Sequence, residues 1–152
     1  MEGYIENYEK WLASSALNDA EKAELEAIGG DRKEIEERFA KGLSFGTAGL
    51  RGVMKTGWNA MNVHTVAHAT QGLANLILSE NRAADGVAIA YDCRNNSAEF
   101  ARTAARVLAA NGIRVYLFDA LRPTPELSFA LREMHCVAGI NITASHNPKQ
   151  YN

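Results

Sequence analysis

The residues whose types best suit chemistry lie together in residues 143–148, of sequence TASHNP. They place a hydroxyl, an imidazole and an amide in one short segment, which could attack a substrate or move a proton. Ser145 does not fit a hydrolase elbow, because that turn needs the pattern G-x-S-x-G. Neighbouring side chains on an extended segment point apart, which argues against a triad-like pairing of Ser145 with His146. A simple turn or helix cap is the alternative, since Ser, Asn and Pro are common in both.

A second candidate is the glycine-rich segment 45–52, of sequence FGTAGLRG. Glycines let a backbone approach an anion closely, and the guanidinium of Arg51 can bind a phosphate through two parallel hydrogen bonds. The segment is neither a P-loop nor a G-x-G-x-x-G motif. A tight connection whose glycines serve only turn geometry remains the alternative reading.

Other reactive side chains favour structural interpretations. Asp92 and Arg94 can form a local ion pair, and exposed pairs of this kind contribute only about 0–1 kcal/mol, so a structural role is favoured. The histidines and cysteines outside the TASHNP segment show no metal-ligand spacing. They are His64, His68, His135, Cys93 and Cys136. Two unpaired cysteines are simplest to explain in a reduced, cytoplasmic protein.

The candidate segments need a scaffold, and the pattern of apolar residues predicts a parallel sheet with intervening helices. Strands are predicted at 87–91, 113–118 and 136–142, and near Val53-Met54; helices alternate with the first three. This order predicts an α/β fold, a three-layer α/β/α sandwich with a mainly parallel, mixed sheet. Ligands of such sheets bind beyond the carboxyl ends of the strands, where residues 92–96 and 143–152 fall.

The helix starts are predicted from N-cap residues. These are Asn18, Asp31 and Asn96, each with Glu three residues later, and Thr124, followed by Pro125. Along the last of these helices, Leu127, Ala130, Leu131 and Met134 are expected to face inward. Short helices in residues 4–41 give a helical N-terminal extension, residues 1–42, packed on a domain of residues 43–152.

Charge separates the same two regions. The chain has 152 residues and a net charge of −2, with eleven acidic and six basic residues in 1–42. The remaining residues carry a net charge of +3, which suits an anionic ligand better than the acidic region does. On charge alone, however, a set of solvated helix faces is the favoured explanation of the acidic stretch. No basic surface for a nucleic acid, no signal sequence and no apolar run long enough for a membrane is present. We therefore expect neither nucleic-acid nor membrane partners.

These motifs together resemble the α-D-phosphohexomutase superfamily, which includes phosphoglucomutases and phosphomannomutases. The resemblance rests on residues 45–52 (FGTAGLRG), 91–94 (YDCR) and 143–148 (TASHNP), in this order and spacing. Residues 69–74 (ATQGLA) look most like the phosphoglucomutase and phosphopentomutase branch. The resemblance implies domain I of such an enzyme, with an isomerase activity that interconverts hexose 1-phosphate and hexose 6-phosphate, glucose before mannose or pentose.

The resemblance also implies roles for individual residues. Ser145 would carry the phosphoryl group, passing it to a sugar monophosphate through a bisphosphate intermediate, and His146 would lie beside the reacting group. Arg51, Thr47 and Asn147 would bind substrate phosphate. Mg²⁺ would bind the phosphate on Ser145 and aspartates of a second domain, and glucose 1,6-bisphosphate would act as activator and intermediate.

Two departures from the family pattern are visible. Ala60 stands where relatives often have arginine, and the sequence given stops four residues after Pro148. We therefore expect a truncated domain I, without the later domains, that is inactive alone and self-associates through surface that later domains normally cover. The alternative function is a non-catalytic, phosphosugar-binding or structural domain fragment.

Overall fold

The computed structural model describes residues 3–47 and 49–152, which form two compact units. The first unit extends to Asn62 and includes Tyr151; the second comprises Val63–Gln150 and Asn152. Across the described ranges, no helix is both long and apolar enough to span a membrane.

Three short helices build the first unit: α1 (Gly3–Leu12), α2 (Asp19–Ala27) and α3 (Arg32–Phe39). The predicted N-caps of α2 and α3 are confirmed. Asn18 and Glu21 form a reciprocal capping box with N···O distances of 2.9 and 3.0 Å, and Asp31 accepts a 3.0 Å bond from the Glu34 amide. Each cap satisfies amides that a helix start otherwise leaves without partners.

The apolar faces of these helices meet in one cluster. Its buried members are Tyr8, Leu17, Leu25, Ile35 and Phe39. The Tyr8 ring meets Phe39 edge-on at a centroid distance of 5.6 Å, and its hydroxyl donates to the Leu25 carbonyl at 3.0 Å. Phe39 and Leu25 have no exposed surface, so either truncation to alanine should cost about 2–5 kcal/mol.

The glycine-rich segment forms a small hairpin of β1 (Phe45–Gly46) and β2 (Gly49–Leu50), paired antiparallel. The predicted strand at Val53-Met54 is wrong. Val53 forms an isolated bridge to Tyr151 and Met54 one to Met61, so neighbouring residues pair with different segments and no continuous ladder forms. Ala60 is fully buried, so a larger side chain at this position would need a different arrangement of the segment.

The second unit contains a parallel sheet between helices. Its elements are α4 (Val63–Ser79), β3 (Val87–Tyr91), α5 (Ser97–Ala110), β4 (Val115–Leu117), α6 (Thr124–Glu133) and β5 (Ala138–Ile142). The strand order is β4-β3-β5, and β3 pairs in parallel with both neighbours. No antiparallel strand joins this sheet within the described part of the chain.

The two faces of β3 pack against different helices. Ala88 and Ala90 form a cluster with Leu127 of α6. Side chains alternate along a strand, so Val87 and Ile89 point to the opposite face, where both are fully buried and α5 contacts the sheet. The α/β/α fold predicted from the sequence is therefore confirmed for this unit.

Local details of two helix starts differ from the predictions. Asn96 precedes α5, but its side chain makes no capping bond, because its backbone adopts a left-handed φ of 62° in a turn. Thr124 is the first residue of α6 rather than its cap; Pro123 takes the cap position, and the Thr124 hydroxyl accepts a 2.6 Å bond from Asn141.

Residues at the ends of two elements also depart from the prediction. Met134, expected to face inward, is 40% exposed, because it lies beyond the last turn of α6. β5 begins at Ala138 rather than Cys136, since the Cys136 amide donates to the Leu131 carbonyl of α6.

Candidate active site

Two polar loops leave the sheet side by side. Tyr91 and Ile142, the last residues of β3 and β5, are paired in register, and the Asp92 amide extends the ladder to the Ile142 carbonyl at 3.1 Å. Residues 92–96 follow β3, and residues 143–148, which we call the serine loop, follow β5. This edge is where ligands of parallel sheets bind.

Ser145 has an unusual backbone for a serine. Its φ is 52°, in the left-handed region that costs a residue with a Cβ roughly 1–2 kcal/mol. The side chain is exposed, whereas the preceding Ala144 is fully buried and anchors the loop. Strained backbone of this kind persists only where surrounding contacts hold it, and it is common at functional sites.

Arg94 supplies the largest set of those contacts. Its guanidinium donates to the carbonyls of Ser145 at 2.6 Å, Asn147 at 2.8 Å and Pro148 at 3.1 Å. The arginine side chain is only 15% exposed, and its Nε lies 3.6 Å from an Asp92 carboxylate oxygen. A planar guanidinium can reach several acceptors at once, which one ammonium group cannot do with the same geometry.

Asp92 anchors the same loop from its other side. Burial of the carboxyl is the largest single effect on its pKa and opposes ionisation. Hydrogen bonds from the Thr143 hydroxyl, the Arg94 amide and the Ser97 hydroxyl, with the charge of Arg94, outweigh it and lower the pKa of Asp92. Asp92 is therefore a carboxylate at neutral pH and acts as a fixed acceptor.

His146 lies closer to the serine hydroxyl than sequence reasoning predicted. Its Nδ1 is 3.4 Å from Ser145 Oγ, and both side chains are exposed. Neighbouring side chains point apart along an extended segment, but Ser145 has a left-handed backbone. At 3.4 Å the contact is long for a hydrogen bond between an oxygen and a nitrogen.

The other predicted phosphate-binding residues fall in different places. Asn147 belongs to the serine loop, where its amide donates to the Ala144 carbonyl at 3.0 Å. Thr47 and Arg51 belong to the first unit: Thr47 is exposed between β1 and β2, and Arg51 is half-buried directly after β2. Ala48, in the same segment, lies outside the described residues. The structure thus brings Ser145, His146 and Asn147 together in one loop.

Known proteins resemble this chain in sequence and in fold. The family profile described as "Phosphoglucomutase/phosphomannomutase, alpha/beta/alpha domain I" matches residues 42–152. The chain belongs to the phosphoglucomutase/phosphomannomutase family. Its match to domain I agrees with the α/β/α layers of the second unit.

Individual relatives agree with that assignment. A phosphoglucomutase of Staphylococcus haemolyticus is 44% identical over 77% of this chain and 21% of its own length. One of Staphylococcus epidermidis is 47% identical over 79% of this chain and 22% of its own length. A solved structure from Thermus thermophilus, assigned as a phosphomannomutase, is 34% identical, with a TM-score of 0.65, and covers 73% of this chain and 24% of its own. The chain spans about a fifth of the length of the curated relatives it matches.

One functional expectation for this family concerns a metal ion. Among residues 3–47 and 49–152, no group of three or more His, Cys, Asp or Glu side chains could hold one. Asp92, which contacts the serine loop through Thr143, already accepts bonds from three groups. The described residues therefore do not form a metal site by themselves.

Sequence reasoning missed two residues that brace the serine loop through Asp92 and its neighbours. Ser97, fully buried at the start of α5, donates to Asp92 and accepts from the Asn152 amide group, both at 2.8 Å. Asn152 is also buried, and it donates to the Asn95 carbonyl at 3.0 Å. The contacts of Asn152 span 55 and 57 residues, and a sequence motif carries no signal for these.

Proposed function

We propose that this chain supplies the phosphoryl-carrying serine, Ser145, of a phosphohexomutase. The reaction interconverts hexose 1-phosphate and hexose 6-phosphate, with glucose as the first substrate to test and mannose and pentose phosphates next. The observation that supports the proposal most is the exposed Ser145 hydroxyl, held in strained backbone at the carboxyl edge of the sheet, in a chain of this family.

The proposed step transfers a phosphoryl group without any net change in oxidation. A hydroxyl oxygen of the sugar monophosphate bonds to phosphorus, the bond from phosphorus to Ser145 Oγ breaks, and the hydroxyl proton ends on Ser145 Oγ. The bisphosphate then changes its orientation in the site. Its other phosphoryl group returns to Ser145 by the reverse of the same step. Positioning and charge neutralisation dominate the catalysis of such transfers.

The remaining residues receive roles that follow from their chemistry. His146, with Nδ1 3.4 Å from Ser145 Oγ, would carry the proton between the two oxygens. Arg51 supplies a permanent cation, and Thr47 and Asn147 supply hydrogen-bond donors, for the phosphates of the substrate. General acid–base help of this kind contributes about 10²–10⁴-fold to a rate.

The cofactors are proposed from family membership. Glucose 1,6-bisphosphate is the activator and intermediate, and Mg²⁺ would neutralise charge at the phosphate of Ser145. By resemblance to the family, the other Mg²⁺ ligands would be aspartates of a second domain. The same membership supports a cytoplasmic location and a sugar phosphate as partner.

A second candidate is a non-catalytic, phosphosugar-binding or structural domain. It is favoured by the fact that the chain spans about a fifth of the length of its curated relatives. If the chain is such a domain, the 152 residues alone do not convert hexose phosphates, although the complete gene product does. We propose this inactivity for the isolated chain.

The deciding assay compares the complete gene product with its Ser145→Ala variant. With glucose 1-phosphate, Mg²⁺ and a trace of glucose 1,6-bisphosphate, the wild type should form glucose 6-phosphate and the variant should not. Mannose 1-phosphate and ribose 1-phosphate, tested in parallel, rank the substrates. Normal turnover by Ser145→Ala would exclude Ser145 as carrier, and turnover by the 152-residue chain would reject the non-catalytic alternative.

Self-association of the isolated chain is a separate proposal. Exposed apolar residues of the second unit support it: Leu117, Leu121, Phe129 and Met134. Apolar surface of this kind is usually covered by a partner when it is contiguous. Sedimentation should show mass above that of one chain at high concentration, and a clean monomer would contradict the proposal.

A further inference from the structure

Both backbone polar groups of Ser145 are held by side chains from outside its own residue. Its N–H donates to Thr143 Oγ1 at 3.1 Å, and the Thr143 hydroxyl in turn donates to the Asp92 carboxylate. Its carbonyl accepts from Arg94 at 2.6 Å. The contacts therefore lead from both sides of Ser145 to Asp92 and Arg94, two residues that follow β3.

These contacts suit the left-handed backbone of Ser145. With φ at 52°, the serine carbonyl accepts from the same guanidinium that binds the carbonyls of Asn147 and Pro148. Three carbonyls converging on one cation would repel one another without it. Arg94 therefore offsets the strain of the loop, and the serine side chain stays exposed.

Arg94 is better suited to hold the loop than to bind a substrate phosphate. Its terminal nitrogens, Nη1 and Nη2, donate to three loop carbonyls, and the side chain is only 15% exposed. Asp92 fixes the backbone of Arg94 by accepting a hydrogen bond from its amide at 3.0 Å. Asp92 and Arg94 therefore support the backbone of the serine loop.

We infer that Asp92 and Arg94 are positioning residues that set the direction in which Ser145 presents its hydroxyl for phosphoryl transfer. The inference rests on the proposed function for its catalytic part. Its structural part, that the pair determines the backbone conformation of Ser145, is independent of any activity. The two parts are tested by different measurements.

The catalytic part is tested in the complete gene product with Arg94→Lys, which keeps the charge and loses the planar fork. Misplacing a nucleophile by about 1 Å can cost about 10²-fold, so we expect kcat to fall about 100-fold. KM for glucose 1-phosphate should change by no more than about threefold, because no residue proposed to bind the substrate is itself replaced. Arg102→Lys, at an exposed arginine of α5 paired with Glu99, is the matched control and should change neither constant.

The structural part is tested by NMR on the 152-residue chain. In Arg94→Lys and in Thr143→Val, the Cα and Cβ shifts of Ser145 should move away from left-handed values. Exchange of the Ser145 amide hydrogen should also accelerate at least about tenfold as its protection is lost. Far-UV circular dichroism checks that both variants fold, and Thr143→Val removes one hydroxyl without touching the arginine.

The outcomes separate the two claims. The positioning role would be overturned if kcat of Arg94→Lys stayed within about twofold of wild type. It would also be overturned if kcat and the affinity for glucose 1-phosphate fell by equal factors. If the wild type forms no glucose 6-phosphate, the proposed function fails, and the NMR arm alone decides. If the chemical shifts and amide exchange of Ser145 were then unchanged in both variants, the inference would be overturned. If both changed in Arg94→Lys and Thr143→Val but not in Arg102→Lys, the inference would be supported.

Discussion

Arg38 in the first unit and Arg94 in the second both hold loops, but through different partners. Arg38 is 8% exposed and binds two carboxylates, of Glu24 and Glu34, as well as the Thr56 carbonyl. Arg94 is 15% exposed, has one carboxylate at 3.6 Å and directs its terminal nitrogens to three backbone carbonyls.

The contacts of Arg38 stabilise the fold of the first unit, whereas those of Arg94 hold the backbone of the candidate site. In the first unit charges neutralise one another: Lys55 adds bonds of 3.0 and 2.8 Å to Glu34 and Glu37. In the second unit a cation holds the backbone in a conformation that serine does not favour. We therefore expect substitutions at Arg38 to change global stability most, and those at Arg94 to change the serine loop most.

Of the substitutions that compare the two arginines, Arg38→Met is expected to change stability most. The change takes Arg38 away from two partly buried carboxylates, although Glu34 keeps its bond to Lys55. Removing one partner of a fully buried ion pair costs about 3–5 kcal/mol. Glu24 and Glu34 keep some exposure, so we expect about 2–3 kcal/mol. Trp11 and Trp58 both lie in the first unit, so their fluorescence during urea unfolding reports this loss.

The control for this prediction is Arg32→Met, at an exposed arginine of the same helix. It should cost less than about 0.5 kcal/mol. A loss equal to that of Arg38→Met would mean that the carboxylate contacts add nothing to stability.

A smaller loss is expected from Arg94→Met. The three carbonyls can bind water after the change, so the free energy of unfolding should fall by about 1–2 kcal/mol. Far-UV circular dichroism in urea measures it, with Arg102→Met as the control. If Arg94→Met destabilised the chain more than Arg38→Met does, the contrast between the two arginines would be reversed.

The strain at Ser145 gives a third prediction. Glycine adopts a φ of 52° readily and alanine does not, so Ser145→Gly should be about 1 kcal/mol more stable than Ser145→Ala. Thermal unfolding of the two variants, neither of which has the hydroxyl, isolates the backbone effect. Equal stabilities would show that the loop does not hold this residue in strained backbone.

The smallest expected effect is a difference in acid sensitivity. Burial raises the pKa of Glu24 more than any other single effect, but bonds from Thr56 and Arg38 together lower it, and bonds from Arg38 and Lys55 lower the pKa of Glu34. Groups with lowered pKa values contribute stability above their unfolded pKa, about 4, and lose it as pH falls through the folded value.

Asp92 in the second unit also has a lowered pKa, so it too contributes stability that is lost as the pH falls. Between about pH 7 and pH 3, Glu24→Gln and Asp92→Asn should each lose less stability than the wild type does. The urea midpoint at each pH measures this change. Identical pH dependence in the wild type and both variants would contradict the lowered pKa values.

The sequence was sufficient for features that depend on local patterns. The strand Val87–Tyr91 is a short, β-rich apolar run, and α4 and α5 show helical spacing, so their places follow from periodicity. The hydroxyl, imidazole and amide of the serine loop could be placed at the sheet edge for the same reason. The caps at Asn96 and Thr124 could not, because left-handed backbone and a preceding proline displaced the expected bonds.

Features that depend on long-range contacts were beyond sequence reasoning. The motif Asp92-x-Arg94 suggested a local pair, and a contact between the two is present at 3.6 Å. Its bonds to the serine loop span 51 to 54 residues and exist only because β3 and β5 are neighbours. The left-handed Ser145 follows from those contacts, so neither could be read from spacing alone.

The central claim, that Ser145 carries the phosphoryl group, is tested most directly by labelling. The complete gene product is incubated with glucose 1,6-bisphosphate labelled in its phosphates, quenched and mapped by peptide mass spectrometry. We predict label on Ser145 that is removed by a chase with unlabelled glucose 1-phosphate. Continued mutase turnover with label at another residue, or with none on the protein, would contradict the account.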